Sequence, residues 1–140
     1  MQKTPVAVIG ASGYSGVEAT RLLGHHPYAQ LTVLASDRWA DETVESRIGA
    51  AGHATHLRYI AQEKSVEASL GCAVVLLCTP AEVSLQLAPP LIAAGVRVID
   101  LSGAFRLKAP GAYEKAYRNE HTAPALLEEA VPSLGFGHFA

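Results

Sequence analysis

Val6-Ala7-Val8-Ile9-Gly10-Ala11-Ser12-Gly13-Tyr14-Ser15-Gly16 is the stretch whose reading decides the fold. Four consecutive apolar residues run into a glycine. Continuous rather than alternating apolarity describes a strand buried on both faces, as in a parallel sheet. The glycines follow in a G-x-x-G-x-x-G spacing, in which Ala11 and Ser12 lengthen the common dinucleotide fingerprint G-x-G-x-x-G by one residue. Gly10 permits the tight exit from the strand, Gly13 lets the backbone approach a pyrophosphate, and Gly16 lets the next helix pack closely on the sheet. That helix is expected over Tyr14 to His25, with Val17, Ala19, Thr20, Leu22 and Leu23 available for its inner face and Pro27 just past its end. Its N terminus points N–H groups and a partial positive charge at the turn, where Ser12 and Ser15 add hydroxyl donors. A glycine triplet alone also fits a strand-to-helix turn with no ligand. The preceding strand and the following helix supply the context that dinucleotide binding requires.

Working outward, Leu31 to Ala35 reads as a second strand and His56 to Ile60 as a third. Trp39 to Gly52 is polar and glycine-bearing, without a clear period. Ser65 to Leu70 is a short helix, and Ala73 to Cys78 is the clearest strand in the chain. Ala81 to Ala88 is helical; Pro89-Pro90 is expected to interrupt it, with a restart over Leu91 to Ala94. Val96 to Leu101 is a further buried strand. Ser102 to His121 is loop-like, Leu126 to Val131 a last short helix, and Pro132 to Ala140 a tail. Apolar strands alternating with helical segments indicate β-α-β units. The expected class is therefore α/β: a Rossmann-type, doubly wound, mostly parallel sheet with helices on both faces. Residues 1–131 form one domain, and 132–140 a tail or truncation point.

Composition narrows the function. The 140 residues suit one domain, and the 49% apolar content is that of a folded chain. A formal net charge of −2 gives no pull toward nucleic acid or an anionic membrane. No apolar segment approaches a membrane span, and Met1 to Pro5 leads into a strand rather than a signal peptide. Cys72 and Cys78 sit in apolar surroundings, so reduced thiols and a cytoplasmic location are expected. No metal-ligand pattern is evident; His53 and His56 lack a third ligand and read as a solvated pair.

Cofactor choice turns on Ser36-Asp37-Arg38, at the end of the second strand. An acidic residue there accepts from the ribose hydroxyls of NAD, whereas an arginine accommodates the 2′-phosphate of NADP. Ser36 and Arg38 favour NADP, and Asp37 argues against it unless it points away.

Gly10-Ala-Ser-Gly-Tyr-Ser-Gly16, Cys78-Thr79-Pro80 and Asp100-Leu-Ser-Gly-Ala-Phe-Arg-Leu107 together resemble N-acetyl-gamma-glutamyl-phosphate reductase, an NADPH-dependent family of arginine biosynthesis related to aspartate-semialdehyde dehydrogenase. Tyr113 to Leu127, with Glu120, His121 and Pro124, continues the resemblance. It implies that a cysteine attacks an acyl phosphate, phosphate leaves, and the thioester accepts hydride from NADPH. It implies cofactor contacts at Gly10, Ser12, Gly13, Tyr14, Ser15, Gly16, Ser36, Arg38, Cys78, Thr79, Pro80 and Ser102, and a substrate-phosphate contact at Arg106. The family's nucleophile segment, of proline-glycine-cysteine-tyrosine type, has no counterpart in this sequence, and Ala104 stands where the family often has an acidic residue. No catalytic residue is therefore assigned, and the chain alone is expected to be inactive. A domain separated from its substrate half exposes apolar surface, so self-association is expected.

Plainer readings compete at several positions. Cys78 suits a small buried hydrophobe better than a nucleophile. His25-His26 suit a helix end, and Tyr113 and Tyr117 one packed helical face. Two other functions fit less well: a non-catalytic NADP(H)-binding redox sensor, and a short-chain-type oxidoreductase, whose Tyr-x-x-x-Lys spacing Tyr113-Lys115 and Tyr117-His121 fail to supply.

Overall fold

The computed structural model describes residues 2–105, residue 126, and residues 131–133 and 136–138. Its strands are β1 (Thr4–Ile9), β2 (Ala29–Ala35), β3 (Val74–Leu77), β4 (Arg97–Asp100), β5 (Val131–Ser133) and β6 (Phe136–His138). The α-helices are α1 (Tyr14–Gly24), α2 (Val44–Ile48), α3 (Ser65–Ser69) and α4 (Ala81–Ala93). The sheet order is β2-β1-β3-β4-β6-β5. The first four strands are parallel; β6 runs antiparallel to β4, and β5 to β6. From β1 the chain crosses to one side to make β2 and later to the other to make β3. The carboxyl ends of β1 and β3 therefore flank the point where strand order reverses, the place where open α/β sheets bind ligands.

Two cores explain why β1 reads as an uninterrupted apolar run. Val6 and Val8 join Leu31, Leu34, Ala19 and Leu23, on the α1 side. Ala7 and Ile9 join Val75, Leu77, Val98 and the α4 residues Leu85, Ala88 and Leu91 on the opposite side. The β1–β2 and β2–β3 connections run in opposite directions along the sheet, and the general right-handed rule for such crossovers puts their helices on opposite faces.

Leu22, expected on the inner face of α1, is 71% exposed. His53, expected as half of a solvated pair, is half-buried and bonded to β2. The structure departs from the sequence expectations in four further places. His56 to Ile60 is not a strand: it meets its neighbours through isolated bridges, Ala35 to Ile60 and Thr43 to Arg58. Glycines at positive φ, Gly49 at 77° and Gly52 at 57°, bend the chain before it reaches β2. Ile60 then donates its N–H to the Leu34 carbonyl at 2.9 Å, and His53 Nε2 accepts the Leu31 N–H at 3.0 Å. A loop and one imidazole thus finish the outer edge of β2. Second, α4 continues through Pro89 and Pro90. Its inner face holds Leu85, Ala88 and Leu91 in the core, and burial of each leucine, about 1.5–3 kcal/mol, offsets backbone bonds lost to proline. Third, β4 is buried on one face only, since Arg97 and Ile99 are exposed while Val98 and Asp100 are fully buried. Fourth, Val131 opens β5 instead of ending a helix, and the expected tail carries β5 and β6. Residues 106–121 of the expected Ser102–His121 loop, and the 127–130 part of the last helix, lie outside the described residues.

The His53 bond makes stability depend on pH. Nε2 must be unprotonated to accept the Leu31 N–H. The pKa of His53 is lowered from 6.5, by burial first and then by repulsion from Lys3 and His25. The unfolded chain therefore takes up a proton at higher pH than the folded chain, and this contribution to stability is lost as pH falls below about 6.5. Urea unfolding between about pH 7 and 5.5 is expected to show a declining free energy, with a shallower decline in His53→Gln, whose amide oxygen can accept without titrating. An equal slope in both proteins would contradict the role given to His53.

Candidate dinucleotide-binding site

The glycine turn is fixed to both neighbouring strands. Gly10 and Ala11 donate their N–H groups to the Ala35 carbonyl at 3.0 and 2.9 Å, which ties the turn to the end of β2. Cys78 donates its N–H to the Ile9 carbonyl at 2.8 Å, which ties it to the end of β3. Gly10 has a φ of 84°, and a Cβ there would overlap the Cys78 carbonyl. A Cβ on Gly16 would overlap the Gly10 carbonyl oxygen and the Ala11 backbone. These two glycines are demanded by the chain itself. Gly13 is different. Its φ is −74°, and a Cβ there would meet nothing nearer than the Gly10 carbonyl oxygen at 3.8 Å. The fold has no need of a glycine at this position.

Gly13 is also the N-cap of α1, and it provides no side-chain hydrogen bond to the helix. The first turn of α1 contains no acidic residue. An eleven-residue helix therefore opens without a side-chain cap, in a form suited to an anion. Gly13, Tyr14 and Ser15 are exposed around it, Ser12 is half-buried, and Tyr14 is 99% exposed.

At the end of β2, Ser36 is buried and its hydroxyl accepts the Trp39 N–H at 3.2 Å, so it shapes the turn. The Asp37 carboxylate accepts the Gln62 N–H at 2.8 Å. Arg38 is exposed and forms no hydrogen bond or ion pair with the described residues. Beside Asp37 a cavity of about 530 Å³ is lined by Ala61, Gln62, Val66, Gln86 and Leu87.

The ends of β3 and β4 are joined by a polar network. The Thr79 and Ser84 hydroxyls lie 2.7 Å apart, Ser84 Oγ donates to Asp100 Oδ1 at 2.9 Å, and Ser102 donates to Asp100 through both N (3.0 Å) and Oγ (2.8 Å). A Cβ on Gly10 would come within 3.0 Å of the methyl carbon of Thr79. The sequence assigns Ser84 no role and marks Asp100 only as the first residue of the Asp100–Leu107 motif; its signal is an acidic residue at the carboxyl end of a strand. Pro80 is exposed and forms the N-cap position of α4. The Cys78 thiol is pushed up to about 11, by burial first, with the Ser15 hydroxyl beside it offsetting part of the effect and Asp100 adding to it. Such a thiol is held protonated at neutral pH. The sheet therefore brings Gly10 to Gly16, Cys78, Thr79 and Ser102 to one end, with Ser36 and Arg38 at the neighbouring strand. Arg106 lies outside the described residues. Among the described residues there is no cluster able to hold a metal ion and no helix long and apolar enough to cross a membrane.

The chain is similar to known proteins over most of its length. The N-acetyl-gamma-glutamyl-phosphate reductase of Symbiobacterium thermophilum is 42% identical over 133 residues, which cover 92% of this chain and 36% of that protein. The reductase of Bacillus thuringiensis subsp. konkukian is 42% identical over 130 residues, covering 92% and 37%. The chain thus spans little more than a third of the length of these relatives. Among solved structures, aspartate semialdehyde dehydrogenase with NADP from Candida albicans superposes with a TM-score of 0.63 at 20% identity, over 75% of this chain and 31% of that one, a likeness of fold. The family profile described as semialdehyde dehydrogenase, NAD binding domain, matches residues 5–133. The chain belongs to the semialdehyde dehydrogenase NAD-binding domain family.

Proposed function

We propose that this chain binds NADP(H) across the carboxyl ends of β1 and β3 and presents it for reduction of N-acetyl-gamma-glutamyl phosphate to the semialdehyde. The observation that carries the reading is Gly13: a glycine the fold does not require, at the uncapped start of α1, where a side chain would stand between the helix N–H groups and a pyrophosphate. The 42% identity to named reductases supports the choice of reaction.

NADPH supplies the hydride; the chain's own residues bind and orient. The Gly10–Gly16 turn and the first N–H groups of α1 hold the pyrophosphate, with Ser12 and Ser15 adding hydroxyl donors. The adenosine end lies toward β2. There the Asp37 carboxylate is engaged by the Gln62 N–H, and the Arg38 guanidinium is available for a 2′-phosphate. Thr79, Pro80 and Ser102 border the nicotinamide end. Arg106 holds the leaving phosphate of the substrate. Cys78 is a packing residue and not the nucleophile, because its thiol stays protonated. Without another thiolate and an acid/base, the chain alone binds cofactor and does not turn over. The cytoplasm, where NADPH and acyl phosphates meet, is the compartment this reading implies. Self-association through the exposed face of β4 fits the same picture.

Gly13→Ala is expected to weaken NADPH binding about tenfold or more while leaving the melting temperature nearly unchanged, because the new methyl meets the ligand and not the protein. Gly16→Ala is expected to lower the melting temperature itself, through overlap with backbone atoms. Tight NADPH binding by a folded Gly13→Ala protein would overturn the reading. Arg38→Ala should erase the preference for NADPH over NADH in a fluorescence titration, and a preserved preference would remove Arg38 from the 2′-phosphate site. In a Cys72→Ser background, iodoacetamide should label Cys78 far more slowly at pH 7 than it labels a free cysteine, with the rate still rising well above pH 9; labelling complete by about pH 8 would reinstate a reactive thiolate.

A further inference from the structure

We propose that Asp100 is a positioning residue: from the end of β4 it aims the 101–104 turn and the Thr79 loop at the nicotinamide end of the crevice. This rests on the cofactor reading above. Asp100 is fully buried, and its two carboxylate oxygens accept from Ser84 Oγ, Ser102 N and Ser102 Oγ at 2.8–3.0 Å.

The protons in this network run one way. Ser102 Oγ accepts the Ala104 N–H at 3.1 Å, so its own proton goes to Asp100. Ser84 gives its proton to Asp100, so it accepts from Thr79. The Thr79 methyl in turn stands 3.0 Å from where a Cβ on Gly10, the first residue of the glycine turn, would be. One carboxylate therefore links β4, the first turn of α4, the loop after β3 and the turn after β4. The sheet register makes this possible, pairing Leu77 with Asp100 and joining the Leu101 N–H to the Leu77 carbonyl at 2.9 Å.

Stability alone is a poor reason for such a group. A buried charge can often be replaced by an apolar residue of similar volume at little cost. What an apolar residue could not do is fix Ser102 through two bonds and Thr79 through a relay. Both of those residues belong to loops that border the reverse in strand order, where the ligand lies. Asp100 touches neither cofactor nor substrate in this account and acts through its serines.

The test compares two ligands on the full chain. NADPH carries both halves of the cofactor; adenosine 2′,5′-bisphosphate carries only the adenosine half. Asp100→Asn keeps the shape but places an N–H group where a hydroxyl donates. It is expected to weaken NADPH about tenfold and to shift the bound nicotinamide emission toward that of free cofactor, with binding of the bisphosphate changed less than about twofold. Ser84→Ala cuts only the Thr79 relay, and about a threefold loss on NADPH alone is expected; it decides the matter if Asp100→Asn fails to melt cooperatively. NADPH binding unaffected in the folded variants, or equal losses on both ligands, would overturn the positioning role while leaving the cofactor site intact. A folded wild type that bound neither ligand would overturn the cofactor reading and this one with it.

Discussion

The approach of backbone to backbone at Gly10 and Gly16 is the constraint on which the carboxyl end of the sheet depends. Gly10 lies where a Cβ would overlap the Cys78 carbonyl, and Gly16 where one would overlap Gly10 and Ala11. Because both positions lack a side chain, β1, β3 and α1 converge without an intervening layer. That convergence brings the uncapped start of α1 to the point where strand order reverses. A bulkier residue at either position would push the helix off the sheet and separate the N–H groups from the loops after β3 and β4.

Around that contact the polar groups divide by role. Ser36 and Asp37 are used by the chain, the first for the Trp39 N–H and the second for the Gln62 N–H. Thr79, Ser84, Asp100 and Ser102 are bonded to one another. Arg38 and the N terminus of α1 have no such partner among the described residues. A cationic side chain and a positive helix end at the same end of the sheet suit a phosphate-rich ligand. The account therefore rests on which groups the fold leaves available, as well as on which residue types are present.

Much of this was legible in the residue order. Val6 to Ile9 is buried on both faces, so its lack of alternation was an accurate signal, and the glycine spacing located the turn and helix together. β4 shows the limit of that signal: Val96 to Leu101 carries Arg97 and Asp100 within its apolar run, and apolar Ile99 is exposed beside Arg97 while charged Asp100 is buried. Apolarity reports a tendency toward burial, and the neighbouring elements decide whether it is met. His56 to Ile60 had the composition of a strand, but the bends at Gly49 and Gly52 left only Ile60 in register. Pro89-Pro90 carried a local helix-breaking signal that tertiary burial of Leu85, Ala88 and Leu91 outweighed. Thr79, Asp100 and Ser102 stood in recognisable motifs, but their bonding to one another and to Ser84 was not legible, because the parallel register of β3 and β4 brings them together. Arg106, whose role came from resemblance, lies outside the described residues.

The central claim is that the Gly10–Gly16 turn holds the phosphates of NADP(H). Amide proton–nitrogen NMR spectra of the chain, recorded during titration with NADPH, test it most directly. The account predicts saturable shifts that are largest at Gly10, Gly13, Tyr14, Ser15 and Gly16, with a second group at Arg38. A well-dispersed spectrum of a folded chain in which those amides stay fixed at saturating NADPH would contradict it.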